Sequence, residues 1–102
     1  MSKYGMQAKF TAKPGQRDML ANMLLEAAAG LQSIKDCELY IVSTPETDPN
    51  AVWVTEVWSS SEAHKASLSL EETKAAIQHA KPLIDGVEAV ELKPLGGKGI
   101  NF

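Results

Sequence analysis

Residues 51–68, AVWVTEVWSSSEAHKASL, decide the reading of the fold, because the periodicity of the chain changes inside them. From Ala51 to Trp58 the pattern has period two: Val52, Val54, Glu56 and Trp58 share one face of a strand, and Trp53, Thr55 and Val57 share the other. At Ser59 the period becomes helical. Ser59 followed by Glu62 has the form of a capping box, so the strand is expected to pass directly into a helix that carries His64, Ser67 and Leu68 on one side. Two tryptophans, a carboxylate and one of the two histidines thus fall in one strand-to-helix unit, and function is sought there.

Upstream, residues 3–12 alternate Tyr4, Met6, Ala8 and Phe10 against smaller or polar neighbours, a first strand that Pro14-Gly15 ends. Leu20, Met23, Leu24, Ala27, Ala28 and Leu31 then form a helical stripe beginning near Gln16, with Asp18 in its first turn and Gly30 near its end. A second strand runs from Cys37 to about Thr44, and the loop TPETDPN joins it to the Trp-bearing strand as a hairpin. Downstream, Ser69 and Glu72 repeat the capping pattern. They predict a helix from Leu70 to about Ala80 with Thr73, Ile77 and Ala80 inward, ended by Pro82. Asp85-Gly86 reads as the turn into a last strand, Val87 to about Leu95, and GGKGINF closes the sequence.

Strand, helix, strand, strand, helix pair, strand is the plan of a ferredoxin-like α+β fold, βαββαβ, in one domain spanning residues 1–102. Helices can cover only one face of such a sheet. The later strands nevertheless carry apolar side chains on both faces, Val87 and Ala89 against Val90 and Leu92 in the last, so a homodimer with sheets face to face is expected.

The net charge of -3 and the dispersion of ten basic residues along the chain argue against nucleic acid as a partner. No apolar run approaches the roughly 20 residues that span a bilayer, and Lys3, Lys9, Lys13 and Arg17 interrupt the first segment, so no membrane association or signal sequence is expected. A lone cysteine, Cys37, fits a reducing compartment, and the expected location is cytoplasmic. The glycine cluster Gly96-Gly97-Lys98-Gly99 leads into no helix that could hold a pyrophosphate, and His64 and His79 have no ligand partners at metal-binding spacing. Neither a cofactor nor a metal is expected.

Each candidate site residue also has a purely structural reading. Trp53 and Trp58 could be packing or substrate walls. His64 could be a surface histidine or a pocket base, since imidazoles titrate at about pH 6.5 and suit proton transfer near neutrality. His79 fits a helix C-terminus without any function. Tyr40 could donate to a substrate oxygen or to the backbone. Glu56 is the sharpest anomaly, because a carboxylate among apolar strand neighbours needs a partner or a raised pKa.

Four segments, KFTAKPGQRD, DCELYIVST, VWVTEVWSSSEAHKASL and HAKPLIDG, together resemble the antibiotic biosynthesis monooxygenase family over nearly the whole chain. The Glu56-Val57-Trp58 triplet followed by His64-Lys65-Ala66-Ser67 is similar to that family's pattern. The resemblance implies a dimeric α/β barrel. It also implies a monooxygenase that needs neither metal nor flavin, because a hydroquinone or polycyclic phenol is itself the reductant of dioxygen. Within it, His64 and Glu56 are the candidate catalytic residues, and Trp58, Trp53, Tyr40 and Ser67 the candidate substrate-binding ones. A haem-degrading branch uses an asparagine on the first strand and a later histidine. Ala8 and either Lys74 or Ile77 stand there instead, so that branch is disfavoured. Other relatives are isomerases or have no demonstrated catalysis, which keeps an isomerase and a non-catalytic ligand-binding protein as the rival readings.

Overall fold

A computed structural model describes residues 2–102. The elements follow as β1 (Tyr4–Ala12), α1 (Arg17–Gly30), β2 (Cys37–Ser43), β3 (Ala51–Trp58), α2 (Ser61–Ser67), α3 (Glu71–Ala80), a 3-10 turn (Lys81–Leu83) and β4 (Ile84–Leu92). The order is the expected ferredoxin-like βαββαβ, and the four strands form one antiparallel sheet in the sequence β2-β3-β1-β4. The first strand made is therefore interior, flanked by β3 and β4.

Register assigns the faces. Ala8 lies opposite Val54 on β3 and Ala89 on β4, Met6 opposite Glu56 and Glu91, and Tyr40 of β2 opposite Glu56. Because successive side chains alternate, Tyr4, Met6, Ala8, Phe10, Val52, Val54, Glu56, Trp58, Tyr40 and Val42 share the face that α1 covers. The two ends of that face differ in character. At the Ala12 end, Ala12, Leu20, Val52 and Ala80 are buried together, with Phe10, Met23, Leu24, Val42 and Ile84 packed against them. At the Tyr4 end, the same face carries Glu56 and the side chains around it.

Among the described residues no helix covers the opposite face. Trp53 is 37% exposed there, Ile41 50%, Leu92 48% and Val90 59%, as expected for a sheet with apolar residues on both sides. No helix among the described residues is long and apolar enough to cross a membrane.

Several local expectations are corrected. Ser60, not Ser59, caps α2: its hydroxyl accepts from the backbone N–H of Ala63, whereas the Ser59 hydroxyl donates to Asp36 Oδ1 across 2.6 Å. Three consecutive serines make the local signature degenerate, and the partner from the α1–β2 connection claims the first of them. Leu70 occupies the cap of α3 with no side-chain bond from Ser69, and Ile77 on that helix is exposed rather than inward. Finally, Asp85-Gly86 lies inside β4, with Gly86 opposite Thr11; the 3-10 turn containing Pro82 has already reversed the chain, and the last strand ends at Leu92.

Candidate functional site

The Glu56 carboxylate stands at the centre of the polar end of the helix-covered face. It is 8% exposed, while Trp58, two residues along the same strand, is 1% exposed. Period two puts both on one side of β3, and the indole Nε1–H of Trp58 donates to Glu56 Oε1 across 2.9 Å. His64 enters from α2, its Nε2 at 3.9 Å from the same Oε1. That separation is an ion-pair contact rather than a hydrogen bond. The strand-to-helix connection is what brings these groups together, since α2 starts three residues after Trp58 and packs back on β3.

His64 is held on several sides. The Tyr4 ring stacks on the imidazole with centroids 4.8 Å apart and planes at 26°. Trp58 meets it edge-on, with centroids at 5.6 Å and planes at 72°. Ser67, buried one turn further along α2, donates its hydroxyl to the His64 carbonyl across 2.6 Å.

Burial pushes the Glu56 carboxyl above its ordinary range, and the Trp58 hydrogen bond and the His64 imidazole pull it partly back. Its charge in turn reaches three weak acids nearby. Burial first and then the Glu56 charge push the Tyr40 phenol up and raise the Cys37 thiol to about 11. Tyr4 rises to about 12, through burial, then the Glu91 carboxylate, then Glu56. Glu56 thus lies on an otherwise largely apolar sheet face near three weak acids, Tyr4, Cys37 and Tyr40, that keep their protons at neutral pH.

Of the residues singled out from the sequence, Glu56, Trp58 and His64 come together. Tyr40 lies directly opposite Glu56 on β2, and Ser67 stabilises the helix backbone at His64 rather than facing the carboxylate. Trp53 lies on the other face of the sheet, away from this cluster. Tyr4, Cys37 and Glu91 were not anticipated. Tyr4 shares the face of Glu56 by simple parity once β1 pairs with β3 through the Tyr4–Trp58 and Met6–Glu56 partners, a pairing the sequence leaves open. A cavity of about 110 Å³ borders the cluster where Ala28, Leu31 and Gln32 of the α1 end face Cys37, Leu39 and Tyr40 of β2. It does not include His64 or Glu56. Among the described residues no three His, Cys, Asp or Glu side chains converge as a metal-binding set.

The sequence profile of the antibiotic biosynthesis monooxygenases matches residues 3–79. The chain belongs to the antibiotic biosynthesis monooxygenase family. A Chloroflexus aurantiacus protein assigned to the antibiotic biosynthesis monooxygenases is 46% identical over 98% of this chain and 100% of its own, with a TM-score of 0.89. More distant antibiotic biosynthesis monooxygenase assignments share the fold. One from Caulobacter crescentus is 21% identical, covers 93% of this chain and 92% of its own, and has a TM-score of 0.87. One from Deinococcus radiodurans is 23% identical, covers 97% of each chain and has a TM-score of 0.79. No curated protein matches the chain.

Proposed function

We propose that this protein is a cofactor-independent monooxygenase that oxidises a hydroquinone or polycyclic phenol with dioxygen, with His64 as general base and Glu56 as the group that orients it. The observation that carries this reading is the pair of buried Glu56 and partly buried His64, 3.9 Å apart, with Tyr4 and Trp58 against the imidazole.

The chemical need is a base that accepts a phenolic proton in a place from which water is largely excluded. Forming a phenolate beside a bare carboxylate would be opposed by like charge, whereas an imidazole between them becomes an imidazolium with an anion on either side. Glu56 facing Nε2 also favours the tautomer with the proton on that nitrogen, leaving Nδ1 as the acceptor. The contact need only shorten by about 1 Å on substrate binding to become a hydrogen bond, a tightening common on passing from the free enzyme to the complex. The electron-rich phenolate then reduces dioxygen and a carbon–oxygen bond forms. For a ring methylene the balance is complete without another reductant: His64 returns its proton to the peroxide to give a hydroperoxide, the remaining C–H proton is lost as the O–O bond breaks and a carbonyl forms, and the second oxygen leaves as hydroxide that takes up that proton as water.

A homodimer joined through the uncovered sheet face is part of the same reading, supported by the exposed Trp53, Ile41, Val90 and Leu92. The single half-buried thiol of Cys37 suits a reducing, cytoplasmic setting.

The test is oxygen uptake with a panel of hydroquinones and anthrones, corrected for spontaneous autoxidation. His64→Ala should lower turnover by roughly a hundredfold or more, with the melting temperature nearly unchanged. Full activity of His64→Ala between pH 6 and 8, together with an inactive but folded Glu56→Gln, would transfer the role of base to the strand carboxylate. Saturable binding without turnover across the panel would favour a ligand-binding protein of the same fold.

A further inference from the structure

We infer that Tyr4 is a positioning residue for His64: its ring sets the plane of the imidazole, and its hydroxyl, held at Met6 on the side of Glu91, sets the ring. This rests on the reading of His64 as the base and extends the site from β3 and α2 to β1 and β4.

Glu56 by itself does not fix the imidazole. At 3.9 Å it constrains the position of one nitrogen but leaves the ring free to turn about the line between them. A flat partner removes that freedom, because two stacked rings lose contact area as soon as one tilts. Tyr4 supplies such a partner, 4.8 Å away and within 26° of parallel, and the edge of Trp58 closes another side. The two rings come from elements of different stiffness. His64 is carried by a helix of seven residues, whereas Tyr4 is on an interior strand paired on both sides, with Trp58 directly opposite it on β3. Rigidity is thus transferred from sheet to helix.

The Tyr4 ring is secured in its turn. Its hydroxyl donates to Met6 Sδ across 3.7 Å, and Met6 is flanked in register by Glu56 on one side and Glu91 on the other. The Met6 contact has full hydrogen-bond geometry but involves a weak acceptor. Burial, and after it the neighbouring Glu91 carboxylate, raises the pKa of the phenol to about 12. A tyrosine that keeps its proton at any ordinary pH provides a neutral surface beside the base and does not compete with it for substrate protons.

The experiment uses the whole protein with Tyr4→Leu and Tyr4→Phe. The first readout is independent of turnover: the rate at which diethyl pyrocarbonate modifies His64, followed by peptide mass spectrometry, with exposed His79 as internal reference. Tyr4→Leu should raise the His64:His79 ratio severalfold and remove the ring-current shift of the His64 ring protons. With a turned-over substrate, kcat should fall roughly tenfold to a hundredfold while KM changes by less than about threefold, as for a displaced catalytic group. Tyr4→Phe keeps the stack and loses only the weak hydroxyl contact that steadies the ring, so it should fall between the unsubstituted protein and Tyr4→Leu, nearer the former, in every readout. If Tyr4→Leu leaves the modification ratio and kcat unchanged, or if Tyr4→Phe is as damaged as Tyr4→Leu, the ring does not position His64. The outcomes separate this inference from the one beneath it. A His64→Ala enzyme without activity beside a fully active Tyr4→Leu enzyme overturns the positioning role alone, whereas a reoriented imidazole in a protein whose His64→Ala variant is fully active overturns the base.

Discussion

The Trp58 indole N–H reaches the Glu56 carboxylate across 2.9 Å from two residues further along the same strand, so each of these buried side chains satisfies the other. Trp58→Phe separates that bond from packing, since it keeps an aromatic ring and removes the donor. A buried acceptor that loses a bond to a charged group costs about 1.5–3 kcal/mol, and chemical denaturation should show a loss in that range at pH 7. The loss should shrink as the pH falls and Glu56 protonates.

The raised carboxyl of Glu56 makes stability depend on pH with a definite sign. Between its ordinary value of 4.5 and its higher folded value, the native state binds more protons at Glu56 than the unfolded chain does, so the contribution of this group to stability falls as pH rises through that window. Glu56→Gln should flatten the slope there, and above the window it should be no less stable than the parent while turnover drops. Thermal melts from pH 4.5 upward check this. A steeper decline with pH in the Gln variant would contradict the assigned direction.

Much of this was legible in the sequence. Strict alternation in residues 51–58 placed Glu56 and Trp58 together on one face, and the shift of period after Trp58 placed His64 next to them, because both relations are local. What stayed hidden depends on pairing. Tyr4 is sixty residues from His64 in sequence, and nothing in its own strand says that β1 will lie against β3 with Tyr4 opposite Trp58. The misplaced cap at Ser59 has the same origin, since its hydroxyl is taken by Asp36, a residue 23 positions away. Trp53 shows the converse: its parity was visible, and the structure places it accordingly on the face away from Glu56.

The uncovered face is where the proposed dimer would join. Val90→Glu adds a charge to an exposed position on β4 and leaves the helix-covered core untouched. An interface of about 2,000 Å² or more should keep the unsubstituted protein dimeric at micromolar concentration, and the variant should dissociate toward an 11.0 kDa species in light scattering. A monomeric parent with a cooperative melt refutes the dimer.

Gly5 marks where the chain beyond β4 crosses the first strand. A Cβ there would stand 3.2 Å from Pro94 Cγ and 3.3 Å from the Leu92 carbonyl oxygen, both tighter than ordinary packing. Gly5→Ala should therefore cost about 1 kcal/mol or more by displacing the end of β4 from β1. The melting temperature reports the cost, and amide exchange at Leu92 would show whether the displacement occurs there.

The position of β1 inside the sheet also governs when the protein becomes itself. Its neighbours are the third strand and the fourth, so Tyr4 must wait for Trp58 on one side, and Met6 for Glu91 on the other, across most of the polypeptide. Such distant pairings slow folding, because loop closure precedes the contacts that reward it. When α2 has been synthesised every residue of the Glu56–His64 pair has been made, yet the sheet beneath it still lacks its β4 edge. The sheet that carries the pair is complete only once the last strand has joined β1.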